Sequence, residues 1–124
     1  MLASFANFDT EFQALYAACE RPRSQLDVDY RREFSGQPNY ASLRTYWQIA
    51  HALTLHASAH LALNHSETAV QDLTVLHRLT DTFRGHPGAR SFALRESYSR
   101  LYLQIVWEGL ASHRWGAAQL KTLE

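Results

Sequence analysis

Residues 66–83 read SETAVQDLTVLHRLTDTF, and the spacing within them decides the fold. Ala69, Leu73, Leu76, Thr80 and Phe83 recur three or four residues apart, and Val70 and Leu79 widen the stripe. Gln71, Thr74, Arg78 and Asp81 fall off it. An α-helix returns to the same bearing about every 3.6 residues, so this pattern lays one apolar face against a core. Ser66 is placed to cap the start of a helix over Glu67 to Phe83. Gly85 suits the end of it, and Pro87 blocks continuation.

The same periodicity extends in both directions. Upstream, a helix is expected from Asn39, its N-cap after Pro38, to about Asn64, roughly 36 Å long. Leu43, Tyr46, Trp47, Ala50, Leu53, Ala57 and Leu61 share one broad arc, while Ile49, Leu55 and Leu63 lie outside it. A helix apolar on several sides is covered on several sides, so this one reads as the central helix. Further upstream, Asp9 reads as the N-cap of a helix carrying Phe12, Leu15, Tyr16 and Cys19, flanked by Phe8 and closed before Pro22. Residues 21–38 are irregular: an extended piece over Leu26 to Tyr30, one helical turn at Arg31 to Phe34, and a turn at Ser35-Gly36-Gln37-Pro38.

Downstream, Phe92, Leu94, Tyr98, Leu101, Tyr102, Ile105, Val106, Trp107 and Leu110 mark a helix over Ala89 to His113. Gly116 caps a last helix, Ala117 to Glu124. The connections at 64–66 and 84–88 are short, which forces antiparallel neighbours. The expectation is an all-α fold of about five helices packed as antiparallel hairpins, a tetratricopeptide-like helical bundle. Residues 1–124 read as a single helical domain, a fragment of a longer protein because the last helix stops with the chain.

Composition narrows the function. Hydrophobic residues make up 46% of the 124, enough for a packed core rather than a disordered chain. Twelve basic residues balance twelve acidic ones. Nucleic-acid binding draws its affinity from an excess of positive charge, so no nucleic-acid partner is expected. No apolar run reaches the ~18 residues of a membrane helix, so this segment does not insert in a membrane. The single cysteine, Cys19, cannot form an internal disulfide, so a cytoplasmic location is the default.

The stretch Ala57 to Phe83 resembles a degenerate tetratricopeptide repeat. Ala57, the turn at Asn64-His65-Ser66, and Ala69, Leu73 and Leu76 sit where such a repeat packs its two helices, while Thr54 replaces a bulky residue. A wider set is similar to a family of uncharacterised bacterial helical proteins. It comprises Arg21-Pro22, Leu26 to Tyr30, Arg44, Ala57 to Leu76, Pro87, Arg95, Trp107-Glu108-Gly109-Leu110 and Gln119-Leu120. The chain departs from that family at Asn64-His65, where a glycine-rich turn is usual, and at Gly116-Ala117, where a polar cap and an acidic residue are usual. The resemblance implies a helical fold, no assigned activity, and a longer parent chain that in some members is membrane-anchored.

Several residues invite chemical readings. His56 and His60 are four apart, so both imidazoles share a helix face and can approach one metal ion. No Glu accompanies them as in a zinc protease, and His51 and His65 lie elsewhere around the helix. His77 and Asp81, also four apart, read as a surface pair. Cys19, on an apolar stripe, reads as a small buried hydrophobe. Arg95 sits on an apolar helix and, if buried, needs an anionic or carbonyl partner, whether from the protein or from a ligand. Glu96 and Arg100 form a helix-surface pair. Trp47, Trp107, Trp115 and the tyrosines read as core or, where exposed, as a binding face. The sequence holds no phosphate loop, zinc cysteine pair or serine-hydrolase elbow. No catalytic, cofactor or metal residue is therefore assigned. The function expected is a non-catalytic protein-interaction or assembly module, joined to itself or to another chain. The alternative is a small-molecule binding domain with a pocket between the second and fourth helices.

Overall fold

A computed structural model of the chain describes residues 6–22, 40–85 and 88–124. Among them are five α-helices and no strand: α1 (Asp9–Cys19), α2 (Tyr40–Ala62), α3 (Ser66–Thr82), α4 (Ala89–Ala111) and α5 (Ala117–Leu123). A 3₁₀ turn, Ala6–Phe8, leads into α1. The extended piece, the isolated turn, Asn39 as a cap and Pro87 as a stop all fall outside the described residues. No described helix is long and apolar enough to cross a membrane.

The helix ends differ from expectation in detail. Asp9 and Ser66 lie inside their helices, and neither start has a side-chain cap. Gly85 does not take the left-handed conformation. α3 instead ends in a tight turn, with Phe83 N–H on Thr80 O and Arg84 N–H on Asp81 O. The left-handed cap falls to Asn64, at φ 63°. His65 N–H reaches back to His60 O at 2.9 Å and Asn64 N–H to Leu61 O at 3.1 Å, the paired bonds that close a helix and reverse the chain. α4 ends the same way through His113, φ 53°, with Arg114 N–H on Gly109 O at 2.8 Å. That reversal carries Trp115 back over α4, where its indole N–H donates to Val106 O at 2.9 Å. A Cβ at Gly109 would collide with the indole, so glycine is what lets the ring lie flat there.

Ala50 and Ala57 on α2 and Ala69 on α3 are fully buried, beside Leu53, Leu61, Leu73 and Leu76. Small residues let the two helices approach closely, and the leucines fill the flanks. Tyr98 and Ile105 of α4, together with Phe83, close the core from the other side. The central element is α3 rather than α2. It touches α1, α2, α4 and α5, while α2 leaves Trp47 and Leu55 exposed. The reason lies in α3's breadth: its buried residues include Asp72 and Val75 as well as the stripe, a wider arc than the apolar letters alone mark out.

Candidate functional site

Asp72 projects from α3 into the core and its side chain is wholly buried. Two donors meet it. Tyr16 of α1 gives its hydroxyl to Oδ1 at 2.6 Å, and His56 of α2 presents Nδ1 to Oδ2 at 2.7 Å. Both contacts are short, as expected where the acceptor is ionised. Phe12 of α1 stacks on the His56 ring, centroids 4.0 Å apart and planes 15° apart. His56 Nε2 lies 3.1 Å from His60 Nε2, and His60 Nδ1 lies 3.3 Å from His65 Nδ1. A continuous file of polar groups thus runs from the exposed His65 to the buried carboxyl.

Local structure accounts for each member. His56 and His60 face the same way because they are one helical turn apart. His65 joins them because the left-handed Asn64 turns the chain so that residue 65 bonds back to residue 60. Its placement apart from the pair, expected from helical geometry, is corrected by that reversal. His51 does stand apart, 4.0 Å from the Trp47 ring.

Burial sets the electrostatics. Loss of water pushes the Asp72 carboxyl up to about 6, although the hydrogen bonds from Tyr16 and His56 pull the other way. Burial next to Asp72 also raises the Tyr16 phenol, so it stays a donor. Burial, His56 and His65 lower His60, against a weaker opposite pull from Asp9. No group of three His, Cys, Asp or Glu side chains among the described residues is placed to hold a metal ion. His56 and His60 converge, but among the described residues no third ligand is placed with them to hold a metal.

The other candidates separate. His77 and Asp81 are 3.5 Å apart at the surface, and Asp81 also meets Arg84 at 3.2 Å. Burial raises the Cys19 thiol, partly offset by Arg78, which does not favour a reactive thiolate. Arg95 is half-buried, and among the described residues its Nε has no hydrogen-bond partner; the hydroxyl of the fully buried Tyr98, one turn on, lacks one there too. Glu96 and Arg100 pair at 2.6 Å on the surface. The tryptophans divide, with Trp115 buried, Trp47 half-exposed and Trp107 open. Two clefts flank α1. One, of about 550 Å³, is lined by Leu15, Cys19, Tyr46 and Arg78, and the other, of about 300 Å³, by Phe8, Phe12, Gln48 and Ala52.

Sequence reasoning found the His56–His60 pair and missed its two anchors. Tyr16 sat on an apolar stripe as any core tyrosine would. Asp72 falls between Ala69 and Leu76 on the buried face, and a carboxylate at such a position is the signal that marks it. Comparison of the chain with protein-family models, with curated proteins and with solved structures gives no match.

Proposed function

We propose that this domain is a non-catalytic protein-interaction module that assembles through the outward face of α4. The observation behind this reading is a set of large apolar side chains on α4 left in solvent. Phe92, Leu103, Trp107 and Leu110 are 66%, 62%, 72% and 42% exposed. Phe92 and Leu110 are about five helical turns apart and share one bearing, with Leu103 and Trp107 close to it. Leu103, Trp107 and Leu110 form one apolar patch, from which the exposed Glu96–Arg100 pair separates Phe92, and such a patch marks a candidate interaction site. The flanking residues would extend it toward the ~800 Å² per partner of a stable interface.

The partner proposed is a second copy of the chain. Its formal net charge is zero, so copies approach without net repulsion, and a helix face can meet itself across a two-fold axis. The α2–α3 hairpin, with Ala57 and Ala69 at the contact, is consistent with the tetratricopeptide-like reading, with kinship to the uncharacterised bacterial family, and with a cytoplasmic site of action. The even charge argues against a nucleic-acid partner. Sedimentation equilibrium of the wild type and of Trp107→Glu tests the assembly. A dimer that the substitution separates supports it, and a wild-type monomer at every concentration overturns it.

A second reading is a small-molecule site between α2 and α4, favoured by the two donors without partners among the described residues, Arg95 Nε and Tyr98 OH. Buried donors normally find acceptors, and a carboxylate ligand would supply one. Titration with small carboxylates, wild type against Tyr98→Phe, decides it: tighter binding to the wild type supports the site, and no binding to either removes it.

A further inference from the structure

Tyr16, Asp72, His56, His60 and His65 form one unbroken file of hydrogen-bonding atoms. We propose that this file is a proton-loading site, in which His65 and His60 pass one proton from solvent to the His56–Asp72 pair, and that loading clamps α1 against the rest of the fold.

The hydrogen positions follow from the contacts. An ionised Asp72 has no hydrogen, so His56 must donate from Nδ1. Neutral His56 then accepts at Nε2, which requires His60 to donate from Nε2. Neutral His60 accepts at Nδ1, which requires His65 to donate from Nδ1. Every bond in this unloaded state points inward. Now let His65 take a proton at its Nε2 from water. It hands its Nδ1 hydrogen to His60 Nδ1, and His60 hands its Nε2 hydrogen to His56 Nε2. The file ends with both imidazole–imidazole bonds reversed, His60 and His65 neutral again, and one extra proton on the His56–Asp72 pair. Nothing else is consumed, and the charge of the pair changes from −1 to 0. His60 is neutral in both end states, consistent with the burial that lowers its proton affinity.

The charged and titratable neighbours fit the same account. From α1 come Asp9 and Tyr16, from α2 His56 and His60, from the following turn His65, and from α3 Asp72. Asp9 favours a proton near His60, and the buried carboxyl favours one at the far end.

The readout is α1. Phe12 is its one buried residue among those described, and it lies on the His56 ring. The hydrogen bond from Tyr16 goes to Asp72. Clefts open on both sides of the helix. Two of the anchors of α1, the Phe12 stack and the Tyr16 hydrogen bond, therefore rest on the pair that takes up the proton. Loading cancels the buried negative charge beneath the Tyr16 hydroxyl and the His56 ring on which Phe12 stacks.

Nitrogen-15 NMR of the imidazoles, with amide hydrogen exchange over residues 12–19, tests the proposal. At pH 8 His56 and His65 are expected to carry hydrogen on Nδ1 and His60 on Nε2. On acidification the His60 hydrogen moves to Nδ1, all three rings change together, and α1 protection, corrected for intrinsic exchange, rises at least threefold. In His60→Gln, which leaves the His56–Asp72 contact in place, the His65 and His56 transitions are expected to separate. Ordinary Nε2–H tautomers on all three rings with unrelated midpoints, or α1 protection that does not follow the His56 transition, overturns it.

Discussion

Asp72 has two donors and a fully buried side chain, so its replacements separate cleanly. Asp72→Ala removes the acceptor shared by the Tyr16 hydroxyl and the His56 Nδ1–H and should cost about 2–5 kcal/mol, read by urea denaturation. Asp72→Asn keeps one acceptor and carries a pH signature. The folded carboxyl titrates near 6, and the unfolded one near 4. The folded chain therefore holds a proton that the unfolded chain releases, and this contribution is complete below about pH 4 and lost as pH rises through about 6. His60, lowered by burial, has the opposite sign: its contribution is present above about pH 6.5 and lost as pH falls through its folded value. Asp72→Asn removes only the first, so the wild type should exceed it by more at pH 5 than at pH 8. A gap that widens toward pH 8 contradicts the assignment. Tyr98 offers the reverse case. Its hydroxyl is buried without a partner among the described residues, and burial pushes its phenol up to about 12. Tyr98→Phe should stabilise the ligand-free protein by roughly 1 kcal/mol in the same assay. At this scale the sequence was half legible. A four-residue spacing announces His56 and His60, but the partner that orients them lies across the core, and no local pattern records a contact between α2 and α3.

Helices are where periodicity speaks most directly, and all five described ones lie where apolar spacing puts them. Their ends were less legible. Asp9 and Ser66 have the right side chains for caps, yet no side-chain cap forms. Gly85 has the freedom for a left-handed turn, yet Asn64 and His113 make those turns. Propensity says what a residue tolerates, and tertiary packing chooses which tolerance is used. Gly109 shows the same logic inside a helix. On propensity alone Gly109→Ala gains up to ~1 kcal/mol. Here the new methyl meets the Trp115 indole, and overpacking costs about 1–3 kcal/mol. The substitution should therefore destabilise, and Gly109→Ala combined with Trp115→Ala should lose less than the sum of the two. Additive losses in denaturant melts would mean that the ring does not rest there.

For the molecule as a whole, the all-α class and its antiparallel hairpins were legible because short connections leave long helices no other course. The identity of the hub was not. α2 looked central because its apolar letters spread widely, but α3 holds the other four helices, using a buried aspartate that an apolar pattern counts as polar. The exposed patch on α4 gives the prediction at this scale. Trp107 is 72% exposed, so Trp107→Glu should change monomer stability by no more than about 0.5 kcal/mol. Its loss from an interface centre typically costs at least 2 kcal/mol, so dimer dissociation should rise about thirtyfold or more.

The division of the three tryptophans has a practical side. Trp107 stands in water, Trp47 leans on an imidazole, and Trp115 is sealed under the end of α4 with its N–H engaged. Intrinsic emission is therefore a sum of three signals with different colours and different access to quenchers. A form retaining Trp115 alone would turn that sum into a single optical gauge of whether the C-terminal hook is closed, readable without a label at nanomolar protein.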